Sequence, residues 1–279
     1  MGSIRINNQP REVVGLIPAA GRATRIAPLP CSKEIYPIGL GLLNGGRGSR
    51  PKAACHYLLE KMAAAGIAKT YIVLREGKWD IPAYLADGWM FQMQLAYLMI
   101  RGSLGVPYTL DQAYPFVRDA LVTFGFPDIL FNGDDAFQRL LSHHAADYAD
   151  ILLGLFPADR PEKMDMVDLE KDGRVAEIVI QPRQTKLQYS WDIAVWTPVF
   201  TEFLHAYLAD QRASAMVLNR VELSVGHVIR AAISAGLIVK GLAVSDEPYL
   251  DIGCPEGLTR ALERFGESYR KSPLTREIR

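Results

Sequence analysis

Short apolar runs alternate with stretches of helical period along the first half of the chain. Val13 to Pro18 is an apolar run that ends in a small-residue turn, the pattern of a buried strand followed by a loop. Ala53 to Ala65 has helical spacing and stops at Gly66, a natural helix end. Thr70 to Leu74 is the next buried strand. Strand, helix and strand in that order predict a parallel sheet covered on both faces. The pattern continues with a helix over Gly88 to Met99, a strand over Leu121 to Phe126, a helix over Phe137 to Ala146 and a strand over Ile151 to Phe156. Met164 to Leu169 and Val175 to Ile180 flank Glu170-Lys171-Asp172-Gly173, a hairpin turn signal. Ile193 to Trp196 is strand-like, Pro198 to Leu208 and Ser224 to Ala235 are helical, Leu237 to Val244 is a strand, and Pro255 to Arg270 is a closing helix. Gly39 to Pro51, rich in Gly, Asn and Arg, suggests a mobile insertion. The fold class predicted is α/β, a doubly wound, mostly parallel sheet with a mixed C-terminal portion. Residues 1–279 form one domain on this reading, with 13–160 and 161–279 as its two parts.

Composition narrows the function classes. The chain has 279 residues, 49% of them hydrophobic, enough for one large core. Its formal net charge is zero, so no global field favours nucleic acid or an anionic membrane, and any anion must be handled locally. No apolar run reaches the length of a membrane span. Cys31, Cys55 and Cys254 form no CxxC pair, which argues against a disulfide framework or a zinc site. With no apolar signal core at the start, the expected location is the cytoplasm.

The candidate chemistry lies in Gly15 to Ile38, GLIPAAGRATRIAPLPCSKEIYPI. A strand ending in Pro18-Ala19-Ala20-Gly21 lets a ligand approach the backbone closely, and successive loop amides can point at phosphate oxygens. Arg25 and Lys33 add two cations. Neither GxxxxGK[ST] nor GxGxxG is present. On these grounds alone the segment is either a phosphate loop or a tight turn with solvated charges.

The same segment resembles the signature of the sugar-1-phosphate nucleotidyltransferases, especially the bacterial UDP-glucose and dTDP-glucose pyrophosphorylases. The matching residues are Pro18, Ala19, Gly21, Thr24, Arg25, Pro28, Lys33, Glu34, Pro37 and Ile38, with Ala23 where a second glycine is usual. Phe126 to Leu130, Val175 to Pro182 and Tyr249 to Glu256 match further family blocks in order, so the likeness runs from about residue 13 to 265. It implies a Rossmann-like nucleotidyltransferase fold. It also implies transfer of a nucleotidyl group from a nucleoside triphosphate, UTP or dTTP, to a phosphorylated small-molecule acceptor, a sugar 1-phosphate, with release of pyrophosphate. Arg25 and Lys33 then stand as catalytic cations. Pro18, Ala19, Ala20, Gly21, Thr24 and Gln112 stand as nucleotide contacts, and Asp128 and Asp251 as ligands of Mg²⁺, a hard ion that prefers oxygen donors. Taken singly, an aspartate after a strand is more often a helix cap or turn former; the matched pair in family order favours the metal. Related enzymes form dimers or tetramers, which makes a homo-oligomer an expectation.

The acceptor side departs from the family. Gln181 stands where a lysine usually meets the sugar phosphate, and an amide cannot replace that charge; Arg183, Lys186, Arg160 and Lys163 are candidate substitutes. Asp165 and Asp192 fall where the family has small residues. They are either hydrogen-bonding groups for hydroxyls or an ammonium, or ordinary surface charges. Two alternatives to a sugar acceptor follow: a non-sugar phosphorylated acceptor, and a non-catalytic nucleotide-binding relative. Asp134 and Asp135 fit an N-cap role. His143-His144 is expected on the surface rather than on a metal, and Trp79, Trp89, Trp191 and Trp196 mostly in the core or a pocket wall. Cys31 has no evident His partner, and Arg47 and Arg50 are expected in a solvated loop.

Overall fold

The alternation of apolar side chains along one strand organises the whole molecule. In a computed structural model that describes residues 3–6, 9–42, 49–102, 104–215 and 222–270, the strand is β2, Gln9–Ala19, preceded by β1, Ser3–Ile6. Val13, Ile17 and Ala19 point into one hydrophobic cluster and Val14, Leu16 and Ala20 into another. Side chains two apart share a face of a strand, so β2 feeds a core on each side of the sheet.

The elements then follow in order. A hairpin of β3, Pro37–Leu42, and β4, Ser49–Ala53, leads into α1, Ala54–Ala64. Next come β5, Lys69–Arg75; α2, Asp80–Leu85; β6, Gln94–Ile100; α3, Val106–Asp111; α4, Tyr114–Val117; β7, Leu121–Gly125; and β8, Ile129–Leu130. They are followed by α5, Ala136–Ala146; β9, Ile151–Pro157; β10, Asp165–Leu169; β11, Val175–Ile180; and β12, Tyr189–Trp196. The chain continues through α6, Pro198–Ala215; α7, Val225–Ser234; β13, Val239–Ala243; β14, Leu250–Asp251; and α8, Pro255–Arg270.

The central sheet runs β11-β10-β12-β7-β2-β5-β6, with β9 on β12 and β13 on β9. The parallel part is β7-β2-β5-β6. The C-terminal strands β12, β10 and β11 join it antiparallel, so the sheet is mixed. Helices α1 and α5 cover one face through Leu58, Leu59, Met62, Phe137 and Leu140. The other face packs under α6 and α7 through Phe200, Leu204, Leu208, Val228 and Ile229. Both faces are thus dry, as a sheet with a parallel core requires. A third, smaller cluster (Ile38, Leu130, Leu250, Ile252 and Ala261) fastens α8 beside the β3–β4 hairpin.

Some elements depart from the sequence pattern. The helix expected over Gly88 to Met99 is a 3-10 turn, Trp89–Phe91, followed by β6. Gly88 at φ +91° and Gln92 at φ +55° both leave the helical region, which stops the helix before it can propagate. Gln94–Ile100 then satisfies its backbone by pairing parallel to β5 along its whole length. Of the segment expected as a mobile insertion, residues 39–42 lie in β3 and 49–51 in β4, in register from Gly39–Lys52 to Leu42–Ser49 with a shift toward Pro37–Ala53, and residues 43–48 fall outside the described residues. Arg50 lies in β4, and Arg47 falls outside the described residues.

Asp135 occupies the N-cap position of α5 without a side-chain cap bond, and Asp134 pairs with Lys61 instead. His144 is buried, its Nε2 donating to the Ala149 carbonyl at 2.9 Å, so the helix end is anchored rather than exposed. Trp191 and Trp196 are buried, whereas Trp79 and Trp89 are exposed around α2.

Candidate active site

A cleft of about 1110 Å³ opens at the carboxyl ends of the parallel strands. Pro18 near the end of β2 and Ala20 and Gly21 just after it line the cleft, Arg75 ends β5, and Phe126 and Asp128 follow β7. Strand β2 sits between β5 and β7, where strand order reverses direction, and such a crevice is the usual ligand site of an open α/β sheet.

Two short strands bring together the aspartates that lie farthest apart in sequence. β14 pairs antiparallel with β8, setting Asp251 opposite Ile129, and the Ile252 amide donates to the Asp128 carbonyl at 3.1 Å. Lys33 Nζ donates to Asp128 Oδ2, and Arg25 Nη2 donates to Asp251 Oδ2 at 3.2 Å. Asp251 Oδ1 accepts the Gly253 amide at 2.7 Å. Gly253 marks where these groups converge. A Cβ there would lie 2.8 Å from Asp251 Oδ1, 3.1 Å from Arg25 Nη2 and 3.3 Å from Asp128 Oδ2. Two carboxylates and a guanidinium therefore border one small space that only glycine leaves open.

The cations are held from behind. Ser32 donates its amide and its hydroxyl to the Asp80 carboxylate at 2.7 and 2.8 Å, which fixes the backbone just before Lys33. Burial opposes the charge of Lys33, but Asp128, Glu34 and Asp251 outweigh it and hold its pKa above the usual lysine value. Lys78 Nζ donates to Glu34 Oε1 at 2.5 Å in a pair that is nearly inaccessible on both sides. Burial raises the Glu34 pKa and lowers that of Lys78, each moved against its charge. In the loop after β2, Ala23 stands at φ +55°, a conformation glycine adopts freely and alanine does not. The family's second glycine has a backbone reason at this position.

The other end of the cleft is lined by Asp165, Gln181, Trp191, Asp192, Glu222, Ser224 and His227. Asp192 is 8% exposed; burial first, and then the charges of Asp251, Asp128 and Asp165, push its carboxyl well above the usual range, against the Tyr249 hydroxyl beside it. Burial raises the Asp165 carboxyl to about 6, partly offset by Ser224 and Arg230. Ser224 Oγ caps α7 and bonds His227 Nδ1 at 2.7 Å. Gln181 takes φ +41° and brings no charge. Of the substitute cations, Arg160 and Lys163 reach the cleft, where Glu256 meets them at 2.8 and 3.7 Å, whereas Arg183 and Lys186 do not line it.

The expected site residues mostly assemble. Pro18, Ala20, Gly21, Thr24, Arg25, Lys33, Asp128, Asp165, Gln181, Asp192 and Asp251 line one cleft. Ala19 is packed into the core beneath it. Gln112 departs from expectation: it is exposed at the end of α3, off the cleft, because Leu110 and Ala113 turn the other side of that segment into the core. Leu104, Gly105, Val106, Tyr108 and Thr109 line the cleft in its place. Arg75, which no sequence motif singles out, also lines the cleft, at the end of the strand paired with β2.

The chain has relatives among known proteins. The nucleotidyl transferase family model matches residues 14–267. A glucose-1-phosphate thymidylyltransferase of Streptomyces antibioticus is 23% identical over 82% of this chain and 60% of its own length. A second, of Streptomyces griseus, is 22% identical over 79% of this chain and 60% of its own length. The chain thus spans about 60% of the length of these curated relatives. A crystal structure of a Bacillus anthracis protein, described as a glucose-1-phosphate thymidylyltransferase in complex with sucrose, superposes with a TM-score of 0.76 at 19% identity, over 91% of this chain and 95% of that one. That likeness is one of fold. With the family model matching nearly the whole chain, this protein belongs to the nucleotidyl transferase family.

Proposed function

We propose that the protein transfers the nucleotidyl group of UTP or dTTP to a sugar 1-phosphate. An oxygen of the acceptor phosphate attacks the α-phosphorus. The bond from that phosphorus to the α–β bridging oxygen breaks, and its electron pair leaves with pyrophosphate. The observation that carries this reading is the convergence of Asp128, Asp251 and Arg25 around Gly253, with Lys33 paired to Asp128, at the carboxyl end of the parallel strands.

Transfers of this kind need alignment and cancellation of negative charge more than covalent help. Without ligand, the four side chains neutralise one another in two pairs. A triphosphate would recruit the cations: Arg25, whose side chain is 63% exposed, toward the departing pyrophosphate, and Lys33 toward the α-phosphate. Amides of the loop from Ala20 to Thr24 supply further donors to the phosphates. The carboxylates released by that exchange fit Mg²⁺, which binds through one or two carboxylates plus substrate phosphates rather than an all-protein cage. When bound, Mg²⁺ supplies charge neutralisation at the α-phosphate.

No helix among the described residues is long and apolar enough to cross a membrane, and a reducing cytoplasm suits the three free cysteines. Pairing of copies into a homo-oligomer belongs to the same proposal, by likeness to related enzymes.

Lys33→Ala and Asp128→Asn test the assignment. Each is expected to remove most pyrophosphate release while circular dichroism and the melting curve stay close to wild type. Near wild-type turnover in either variant would sink the roles given to them.

A further inference from the structure

The acceptor end of the cleft holds acid that nucleotidyl transfer does not use. Asp192 lies at a bulge in β12: pairing with β9 steps from Trp191–Leu155 to Ile193–Gly154 and leaves residue 192 with no partner opposite. A bulge re-aims side chains, and here it lets the successive residues Trp191 and Asp192 both line the cleft. Asp192 is 92% buried by exposure of 8%, yet its Oδ2 has no hydrogen-bond partner, and neither has Trp191 Nε1. Asp165 faces the same space from β10 and acts on Asp192 electrostatically, as do Asp128 and Asp251.

Arg230 offsets the charge of Asp165 in part, but the charges that act most on Asp192 are acidic. Arg25 and Lys33 are engaged by Asp251 and Asp128, and Arg160 and Lys163 face Glu256. Gln181 is neutral. Leaving a carboxyl oxygen buried and unpartnered costs free energy, so a fold that keeps one beside its ligand cleft has a use for it. A ligand hydroxyl would satisfy the oxygen but give the buried acid no counter-charge. A ligand ammonium would do both, with a charge-assisted hydrogen bond.

We infer that Asp192, supported by Asp165, forms an ammonium subsite, and that the acceptor is a sugar 1-phosphate bearing a free amino group. This rests on the nucleotidyl-transfer reading above and narrows its acceptor. The phosphate of such an acceptor would lie toward Gly253 and its amino group toward the β12 bulge.

The test compares glucose 1-phosphate with its 2-, 3-, 4- and 6-amino analogues and with N-acetylglucosamine 1-phosphate, which lacks the charge. Pyrophosphate release gives KM and kcat for each, and titration calorimetry gives their binding without turnover. The expected result is that one amino analogue is favoured over glucose 1-phosphate by about 10- to 100-fold in KM and in affinity. The N-acetylated compound loses that advantage. Asp192→Asn reduces the preference to within about threefold, and Asp165→Asn, which serves if the first variant does not fold, reduces it in the same direction. Turnover without preference for any amino analogue would overturn the subsite and leave the nucleotidyl transfer standing. Preferential binding of an amino analogue with no pyrophosphate release would do the reverse. Preference unchanged in a folded Asp192→Asn variant would also overturn the subsite.

Discussion

Gly253→Ala separates the chemistry of the cleft from the stability of the fold. The backbone at this residue does not require glycine by its φ; the space in front of it does. An alanine Cβ would stand 2.8 Å from Asp251 Oδ1, where ordinary contact begins at 3.4 Å, so that oxygen must retreat by about 0.6 Å. Its retreat strains the 2.7 Å bond from the Gly253 amide, a loss of about 1 kcal/mol for one hydrogen bond at a partly exposed site. For a domain of this size that lowers Tm by about 2–4 °C. The kinetic effect is larger. Arg25 Nη2 at 3.1 Å and Asp128 Oδ2 at 3.3 Å must shift as well, so every charge at the proposed transfer point moves together. Misplacement near 1 Å at a reacting centre costs about 100-fold in rate, or ~2.7 kcal/mol of barrier. Thermal melts beside pyrophosphate-release kinetics read both quantities. A folded Gly253→Ala protein with wild-type kcat would refute the convergence of these groups on the reacting centre. A melt lowered by more than about 10 °C would show that the glycine serves the fold rather than the site.

Two further outcomes follow from the backbone and from burial. Ala23→Gly should stabilise the protein by about 0.5–1 kcal/mol, because relief of a left-handed alanine exceeds the added freedom of glycine in the unfolded chain; denaturant titration showing a loss would contradict the strain. Asp165→Asn should change stability with pH. The folded carboxyl titrates near 6 and the unfolded one near 3.8, so between those values the folded state holds a proton that the unfolded state has released. Stability then falls as pH rises through that window, and the asparagine variant escapes the loss. It should be more stable than wild type by on the order of 1–3 kcal/mol above pH 7 and equal to it below pH 4, and a constant difference across pH would refute the burial.

The sequence pattern was most informative where one physical signal dominated. Val13 to Pro18 was legible as a buried strand because nothing polar interrupts it, and Gly66 at φ +79° stops α1 as a left-handed terminator should. Residues 88–100 misled because an apolar run has no readable period, and the two left-handed residues that break the helix include Gln92, which carries no signal for it. In the site, Asp128 and Asp251 could be named from ordered blocks, but their approach depends on β8 and β14, strands too short to register in any window. Gln112 shows the opposite limit: the run of residues around it does not say which side of α3 faces the core, and Leu110 and Ala113 take that side. The bulge at Asp192 was invisible, since a register shift belongs to the pairing of two strands and not to either one.

The central claim is tested most directly by incubating the protein with Mg²⁺, each of the four common nucleoside triphosphates in turn, and glucose 1-phosphate or its amino analogues, and measuring pyrophosphate. The account predicts Mg²⁺-dependent release with UTP or dTTP, matched mole for mole by a nucleoside diphosphate sugar. Bound nucleotide with no pyrophosphate from any pairing would contradict it and leave a nucleotide-binding protein that does not catalyse the transfer.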